Sequence, residues 1–163
     1  MDLDAIVGQL AAPALGRLLE GRPPGDPVWR DEVRTLVWTL TLPIGPSWRR
    51  MRVRQALYLA VMSYLHSART ADHVVVGHEV DLGGGFRADL VLESTAADRP
   101  RTYLLNELKL NAGRVLTART TSQLEAHLRL GHAMFGDAFA GVRLTSLGDR
   151  RWSREFPVNG APR

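Results

Sequence analysis

The chain has 163 residues, of which 45% are hydrophobic and 23% are charged, and this is typical of one soluble globular domain. The absence of cysteine excludes disulfides and thiolate metal ligands, and no apolar run approaches the length of a membrane span. No signal-peptide pattern opens the sequence, so we expect a cytoplasmic protein that does not contact membrane.

The net charge is +4, which suits an anionic partner such as nucleic acid. Of the 21 basic residues, however, all but one are arginine. A composition bias of the genome is therefore the alternative explanation of the charge, and charge alone does not assign a partner.

Two helices are predicted in the first 42 residues. The first covers residues 3–20 and is expected to break or restart near Pro13. The segment 22–27, rich in proline and glycine, separates it from a second helix with an apolar stripe over 28–40.

A long third helix is predicted over residues 48–68, with Ser47 as its N-cap. Its middle is apolar nearly all round, which indicates burial against a sheet. Four arginines occupy its first turns and can reach phosphates, although charges at a helix end more often form a solvated face.

A hairpin is predicted next, with a valine-rich strand over 73–82, a turn at Gly83-Gly84-Gly85 and a strand over 86–93. A third strand over 102–110 is apolar on both faces in its middle. We therefore expect it to be central and covered on both sides.

A fourth helix follows, capped by Thr121 or Ser122 and ending near Phe135, with Ser122 and Glu125 at capping-box spacing. A fourth strand is expected over 138–146.

The order of elements predicts an α/β sandwich, in which a central four-stranded mixed sheet is flanked by helices. We divide the chain into an N-terminal helical segment (1–46), the core (47–147) and a C-terminal tail (148–163).

The third strand carries the most informative residues, Glu107 and Lys109. Side chains on a strand alternate between faces, so both project from one face and Leu108 from the other. Charged groups are costly to bury in an apolar strand, and Lys109 is the only lysine in the chain. An internal ion pair is the alternative explanation.

Asp89 poses the same question in the second strand, and pairing of the two strands would bring it close to Glu107. If Leu82 faces Phe86 across the turn, Glu79 lies opposite Asp89, whereas a turn one residue longer places His78 there. Clustered carboxylates form a site for a hard cation such as Mg²⁺.

Three motifs together resemble the PD-(D/E)XK nuclease superfamily. They are Arg87-Ala88-Asp89-Leu90-Val91-Leu92, Leu105-Asn106-Glu107-Leu108-Lys109 and Gln123-Leu124-Glu125-Ala126-His127. The similarity covers residues 73–146, and the order and spacing of the motifs agree with that superfamily. It implies a restriction-endonuclease-like fold.

The resemblance also implies roles for individual residues. Asp89 and Glu107 would hold Mg²⁺ (or Mn²⁺), with the Leu108 carbonyl as a further ligand. Lys109 would be the catalytic lysine, and Gln123 would line the site.

The chain departs from the family pattern at three points. Alanine precedes Asp89 instead of proline, and His127 stands where related proteins of the RecB type have tyrosine. The helix 48–68 also lacks the acid that many members carry. Asp31, Glu32 or Glu79 would have to supply that acid, or no residue does.

Three functions stay open at this point. The first is a metal-dependent endo- or exonuclease that hydrolyses DNA. The second is a catalytically silent nucleic-acid-binding or regulatory protein that keeps the nuclease fold. The third is a structural interaction subunit in which the acids and the lysine form a buried ion-pair network. A homodimer, or a partner protein that supplies specificity, is compatible with each.

His78 and His127 are each interpreted as structural, because a lone histidine is more often a hydrogen-bonded residue than a ligand.

Overall fold

The computed structural model describes residues 2–67, 73–148 and 151–158, which form four α-helices and five β-strands. The helices are α1 (Leu3–Leu19), α2 (Arg30–Thr41), α3 (Ser47–Ser67) and α4 (Ala118–Phe135), the last followed by a 3-10 turn (Gly136–Ala138). The strands are β1 (His73–Gly83), β2 (Phe86–Ser94), β3 (Tyr103–Leu110), β4 (Phe139–Leu147) and β5 (Trp152–Pro157). Within these described ranges, no helix is long and apolar enough to cross a membrane.

The five strands form one mixed sheet in the order β1-β2-β3-β4-β5. Strands β3 and β4 are parallel and connected through α4, and the other three neighbouring pairs are antiparallel. The predicted α/β class and mixed sheet are confirmed, but the prediction of four strands was wrong. The fifth strand comes from the predicted tail, whose polar sequence hid it. Trp152 and Phe156 pack against the core there.

Helices cover both faces of the sheet. Helices α1 and α3 pack on one face and α2 packs on them, while α4 covers the other face. The neighbouring residues Leu104 and Leu105 of β3 are both buried, in clusters on opposite faces. The prediction that the third strand is central and covered on both sides is therefore confirmed.

Two predicted helix boundaries differ from the structure. Helix α1 continues through Pro13, where burial of the flanking residues outweighs the hydrogen bond that proline removes. Helix α4 begins four or five residues earlier than predicted, because Thr117 and not Thr121 or Ser122 is its cap, and its side chain accepts from the Thr120 backbone N–H. Ser122 and Glu125 consequently lie inside the helix and form no capping box.

The hairpin turn is shorter than predicted. Gly83 pairs with Phe86, which leaves a two-residue turn of Gly84 and Gly85, both with positive φ as such a turn requires. A bulge between Asp81 and Gly83 adds one residue to β1. This extra residue offsets the shorter turn, so that the pairing of β1 with β2 beyond the bulge keeps the predicted register.

A buried hydrogen-bond network fixes β3 beside the predicted site. Asn106 Oδ1 accepts from the Tyr64 hydroxyl of α3 at 2.8 Å. Asn106 Nδ2 donates to the Arg143 carbonyl at 3.1 Å and to Thr145 Oγ1 at 2.9 Å, both on β4. Since Asn106 precedes Glu107, this network holds the neighbouring carboxylate in register.

Replacement of Asn106 by alanine should lower the free energy of unfolding by about 1–3 kcal/mol, because it leaves buried polar groups unsatisfied. Denaturant unfolding of N106A would measure this loss. Tyr64→Phe removes one member of the network and should cost less, and the double variant should be less destabilised than the sum of the two. Additive effects would contradict the network.

Candidate active site

Asp89 lies where β2 and β3 stop pairing. The last backbone pair of the two strands joins Leu90 to Asn106. Beyond this pair, the Leu108 backbone N–H of β3 donates to Asp89 Oδ2 at 2.7 Å. The carboxylate thus takes the place of a backbone carbonyl of β2 as the acceptor. The side chain of Asp89 therefore lies between β2 and β3, where the two strands separate.

Glu107, Lys109 and Gln123 form a closed triangle of hydrogen bonds. Glu107 is only 4% exposed, and its Oε1 accepts from Lys109 Nζ at 3.0 Å and from Gln123 Nε2 at 2.6 Å. Lys109 Nζ also donates to Gln123 Oε1 at 2.8 Å. The alternation of β3 puts the acid and the lysine on the face that α4 covers, and Gln123 reaches them from that helix.

His127 is buried one turn along α4 from Gln123, against the second oxygen of Glu107. Its Nδ1 lies 3.6 Å from Glu107 Oε2, and neither of these atoms makes a well-aligned hydrogen bond. The Phe86 ring meets the imidazole edge-on, with 6.1 Å between ring centroids. Burial lowers the pKa of His127 despite the opposing effect of Glu107, which favours a neutral ring.

The pKa of Asp89 is raised from its ordinary value of 3.8 to about 7. Burial is the largest cause and repulsion by Glu107 the second. The Leu108 N–H, Lys109 and Arg87 act in the opposite direction without cancelling the rise. The two carboxylates are therefore held together at an electrostatic cost, as is common at functional sites.

Glu79 lies opposite Asp89 in the strand register, between the pairs His78–Leu90 and Val80–Ala88. Its backbone has a positive φ of 50°, and its carboxylate lies 3.4 Å from the Arg87 guanidinium. Within the described residues, no three acidic or histidine side chains are grouped to hold one metal ion. The role of Glu79 as a third ligand stays a prediction.

The two acids of α2 have partners of their own. Asp31 is almost fully exposed and pairs with Arg34, and Glu32 binds Arg22 at 2.8 Å. Similarly, His78 binds Glu20 at 2.6 Å.

A divalent cation would fit the donors that Asp89 and Glu107 provide. Glu107 Oε2 is buried without a hydrogen-bond partner, and the repulsion between the two acids favours a cation near both. Mg²⁺ is commonly bound through one or two carboxylates and retains several waters, so two acids suffice for it. The carbonyl of Leu108 lies on the same strand and would be a further oxygen donor.

A cleft of 620 Å³ opens beside Lys109 and Gln123, and most of its lining was not predicted from the sequence. Arg87 from β2 and Arg119 and Thr120 from the first turn of α4 contribute to its wall. Arg119 and Thr120 were predicted to lie in a loop before α4. The directions of side chains in a loop cannot be predicted from periodicity, so the position of these two residues at the cleft was not expected. Three cations, Arg87, Lys109 and Arg119, therefore line the cleft, and Lys109 joins it to Glu107.

No protein-family model matches the chain, and a search of the curated proteins found no matching relative. Support for a function therefore comes from the geometry of this site and from the resemblance of its motifs.

Asp89→Asn should stabilise the protein at pH 8, by at least about 1 kcal/mol, when no metal is added. The folded state holds the Asp89 proton more tightly than the unfolded chain does. The contribution of Asp89 to the stability of the wild-type protein therefore falls as pH rises from 3.8 to about 7, whereas asparagine does not ionise. Thermal unfolding at pH 4 and pH 8 should show the difference only at the higher pH. Equal stabilities at pH 8 would contradict the raised pKa.

Proposed function

We propose that this chain is a metal-dependent nuclease that hydrolyses phosphodiester bonds of DNA with Mg²⁺ (or Mn²⁺) as cofactor. The observation that carries the proposal is that residues of the three motifs, which are separate in the sequence, contact one another in the structure. Asp89 contacts the strand that bears Glu107 and Lys109, and Gln123 hydrogen-bonds to both of these residues. A buried ion pair needed only for structure would not require the second carboxylate, which costs energy there.

The fold is proposed to be restriction-endonuclease-like. A hairpin, a third strand, a helix and a parallel fourth strand carry the motifs in the order that the resemblance requires. In this interpretation β5 is an addition to the four-stranded core.

Each side chain has a defined task in the proposed reaction. In hydrolysis a water gives up a proton as its oxygen bonds to phosphorus, and the bond to one ester oxygen breaks as that oxygen takes up a proton. Negative charge builds on the phosphoryl oxygens in the transition state. A divalent ion held by Asp89 and Glu107 would supply Lewis-acid polarisation of the phosphate and a lowered pKa for bound water. Lys109 places a positive charge where the phosphate charge develops, and Gln123 holds that ammonium in place.

The cleft beside the lysine provides the surroundings that a polyanionic strand needs. Arg87 and Arg119 are exposed at its wall and can contact phosphates on either side of the bond that is cleaved. Such contacts position a nucleic acid strand without reading its bases.

The second candidate function is a silent nucleic-acid-binding or regulatory protein. The observation in its favour is that, among the described residues, no third acid or histidine joins Asp89 and Glu107 in a group that could hold a metal ion. Binding without cleavage distinguishes this candidate from the nuclease.

Plasmid, single-stranded and branched DNA, and also RNA, should be incubated with the purified chain in Mg²⁺, in Mn²⁺ and in chelator. We expect metal-dependent cleavage of DNA, and a loss of at least about 100-fold in kcat for Lys109→Ala, because a charge-stabilising group is removed. Gel electrophoresis of the products over time measures the dependence of cleavage on metal and the rate of each variant.

The exposed Arg129→Ala on α4 is the control for nonspecific effects of substitution and should cleave like the wild type. Binding of DNA without cleavage by any sample would support the silent protein instead. Absence of both binding and cleavage would support the third function, that of a structural interaction subunit.

Arg119→Ala should raise KM for DNA about 5-fold and change kcat little, since one phosphate contact is removed away from the reacting bond. The salt dependence of DNA binding should also become shallower, by about one unit in the logarithmic slope. Steady-state kinetics and binding titrations at several salt concentrations measure these effects. Arg129→Ala again provides the matched control, and an equal effect of both variants would remove Arg119 from the proposed binding surface.

A further inference from the structure

The exposed apolar side chains are concentrated far from the candidate site, on α2 and α3. Among the described residues, nine large hydrophobic side chains are exposed, and six of these lie between positions 29 and 59. The six are Trp29, Trp38, Leu42, Trp48, Met51 and Leu59. Isolated exposed apolar residues are ordinary, but a concentration that includes three of the four tryptophans indicates a contact surface.

A groove of 640 Å³ lies between α2 and α3 within this surface. Trp38 from α2 and Met51 and Tyr58 from α3 supply its apolar lining, and Trp38 and Met51 are 57% and 67% exposed. The walls are completed by Arg34, Val37, Arg54 and Gln55. We call this the α2–α3 groove.

The groove carries two positive charges, and that of Arg34 is paired with Asp31 at 3.4 Å in a solvent-exposed contact. The Arg54 guanidinium lies 3.7 Å from the centroid of the Trp38 ring, and its Nε donates to Thr41 Oγ1 at 2.9 Å. The Nη2 of Arg54 is buried and has no hydrogen-bond partner, and no acid is among the residues that line the groove. Helix α3 has no acid anywhere in its sequence, so the charge of Arg54 is not neutralised within the groove.

We propose that the α2–α3 groove binds an amphipathic helix of a partner protein, with an apolar face flanked by aspartate or glutamate. The apolar face would pack on Trp38, Met51 and Tyr58, as amphipathic helices do in hydrophobic grooves. The flanking carboxylates would face Arg34 and Arg54, which gives the complex its orientation and selectivity. Tryptophan, tyrosine and arginine are also the residues that contribute most at protein interfaces.

Two other occupants fit the groove less well. A second copy of the chain would bring the arginines of two grooves together without an acid from either groove lining. Nucleic acid binds mainly through cations that contact phosphates, whereas most of the residues that line the groove are uncharged. Exposed aliphatic side chains such as Met51 and Leu42 also offer nothing to a phosphate backbone.

The groove is separated from the candidate active site by the sheet. Gln123 and the cleft belong to the face that α4 covers, and α2 and α3 lie on the other face. A substitution in the groove should therefore leave any cleavage of naked DNA unchanged. This inference is independent of the proposed nuclease activity.

The test uses the full chain, immobilised, with a phage-displayed library of random 16-residue peptides. Met51→Asp introduces a negative charge into the groove at an exposed position, so folding should be retained. Leu59→Asp is the matched control, because Leu59 is an exposed apolar residue of the same helix that does not line the groove. Circular dichroism checks that both variants fold.

We expect the selected peptides to combine apolar residues at helical spacing with aspartate or glutamate. Synthetic copies should bind at least about 10-fold more weakly to M51D and with unchanged affinity to L59D. Exchange of their acids for lysine should abolish binding. Selection of peptides without acids, or of peptides that bind both variants equally, would overturn the proposal.

Two further measurements on the same variants test the other occupants. A wild-type dimer in sedimentation experiments that M51D converts to a monomer would overturn the proposal in favour of self-association. Binding of a single-stranded oligonucleotide that M51D weakens and L59D does not would overturn it in favour of nucleic acid.

Discussion

The hydrogen bond from the Leu108 N–H to Asp89 Oδ2 is the interaction on which the site depends. A backbone N–H in the interior of a sheet needs an acceptor, and a carbonyl of the neighbouring strand normally provides it. Here a side chain of β2 takes that place at the point where the strands separate. The chain thus keeps the Asp89 carboxylate beside the strand that carries Glu107, at the point where the pairing of β2 and β3 ends.

The charges around this hydrogen bond are balanced only in part. Lys109 and Gln123 satisfy one oxygen of Glu107, while the other faces His127 without a well-aligned hydrogen bond. Such an arrangement lowers stability, and the apolar clusters on both faces of the sheet must offset that cost. An incompletely satisfied acid pair is what a site for a cation requires, because the ion supplies the missing charge.

The two helical layers separate two kinds of surface. Helix α4 contributes Arg119 to the cleft and Gln123 to the site of Glu107 and Lys109, whereas α2 and α3 carry exposed apolar side chains on the opposite side. Since β3 is covered on both faces, a contact on one layer need not disturb the other. The fold is therefore compatible with a reaction on one side and a partner protein on the other.

The sequence by itself determined the strand alternation that puts Glu107 beside Lys109, the central position of β3 and the α/β class, because these follow from local periodicity. It left β5 undetected, since a polar edge strand is stabilised by pairing with β4 and not by its own pattern. The hairpin shows the same limit, because a shorter turn and a bulge offset each other and no local signal predicts either. Only the tertiary structure decided that Glu79 faces Arg87, that His127 lies on Glu107 and that Arg119 lines the cleft. These are contacts between distant residues, and packing, backbone φ and charge select them together after the local elements have formed.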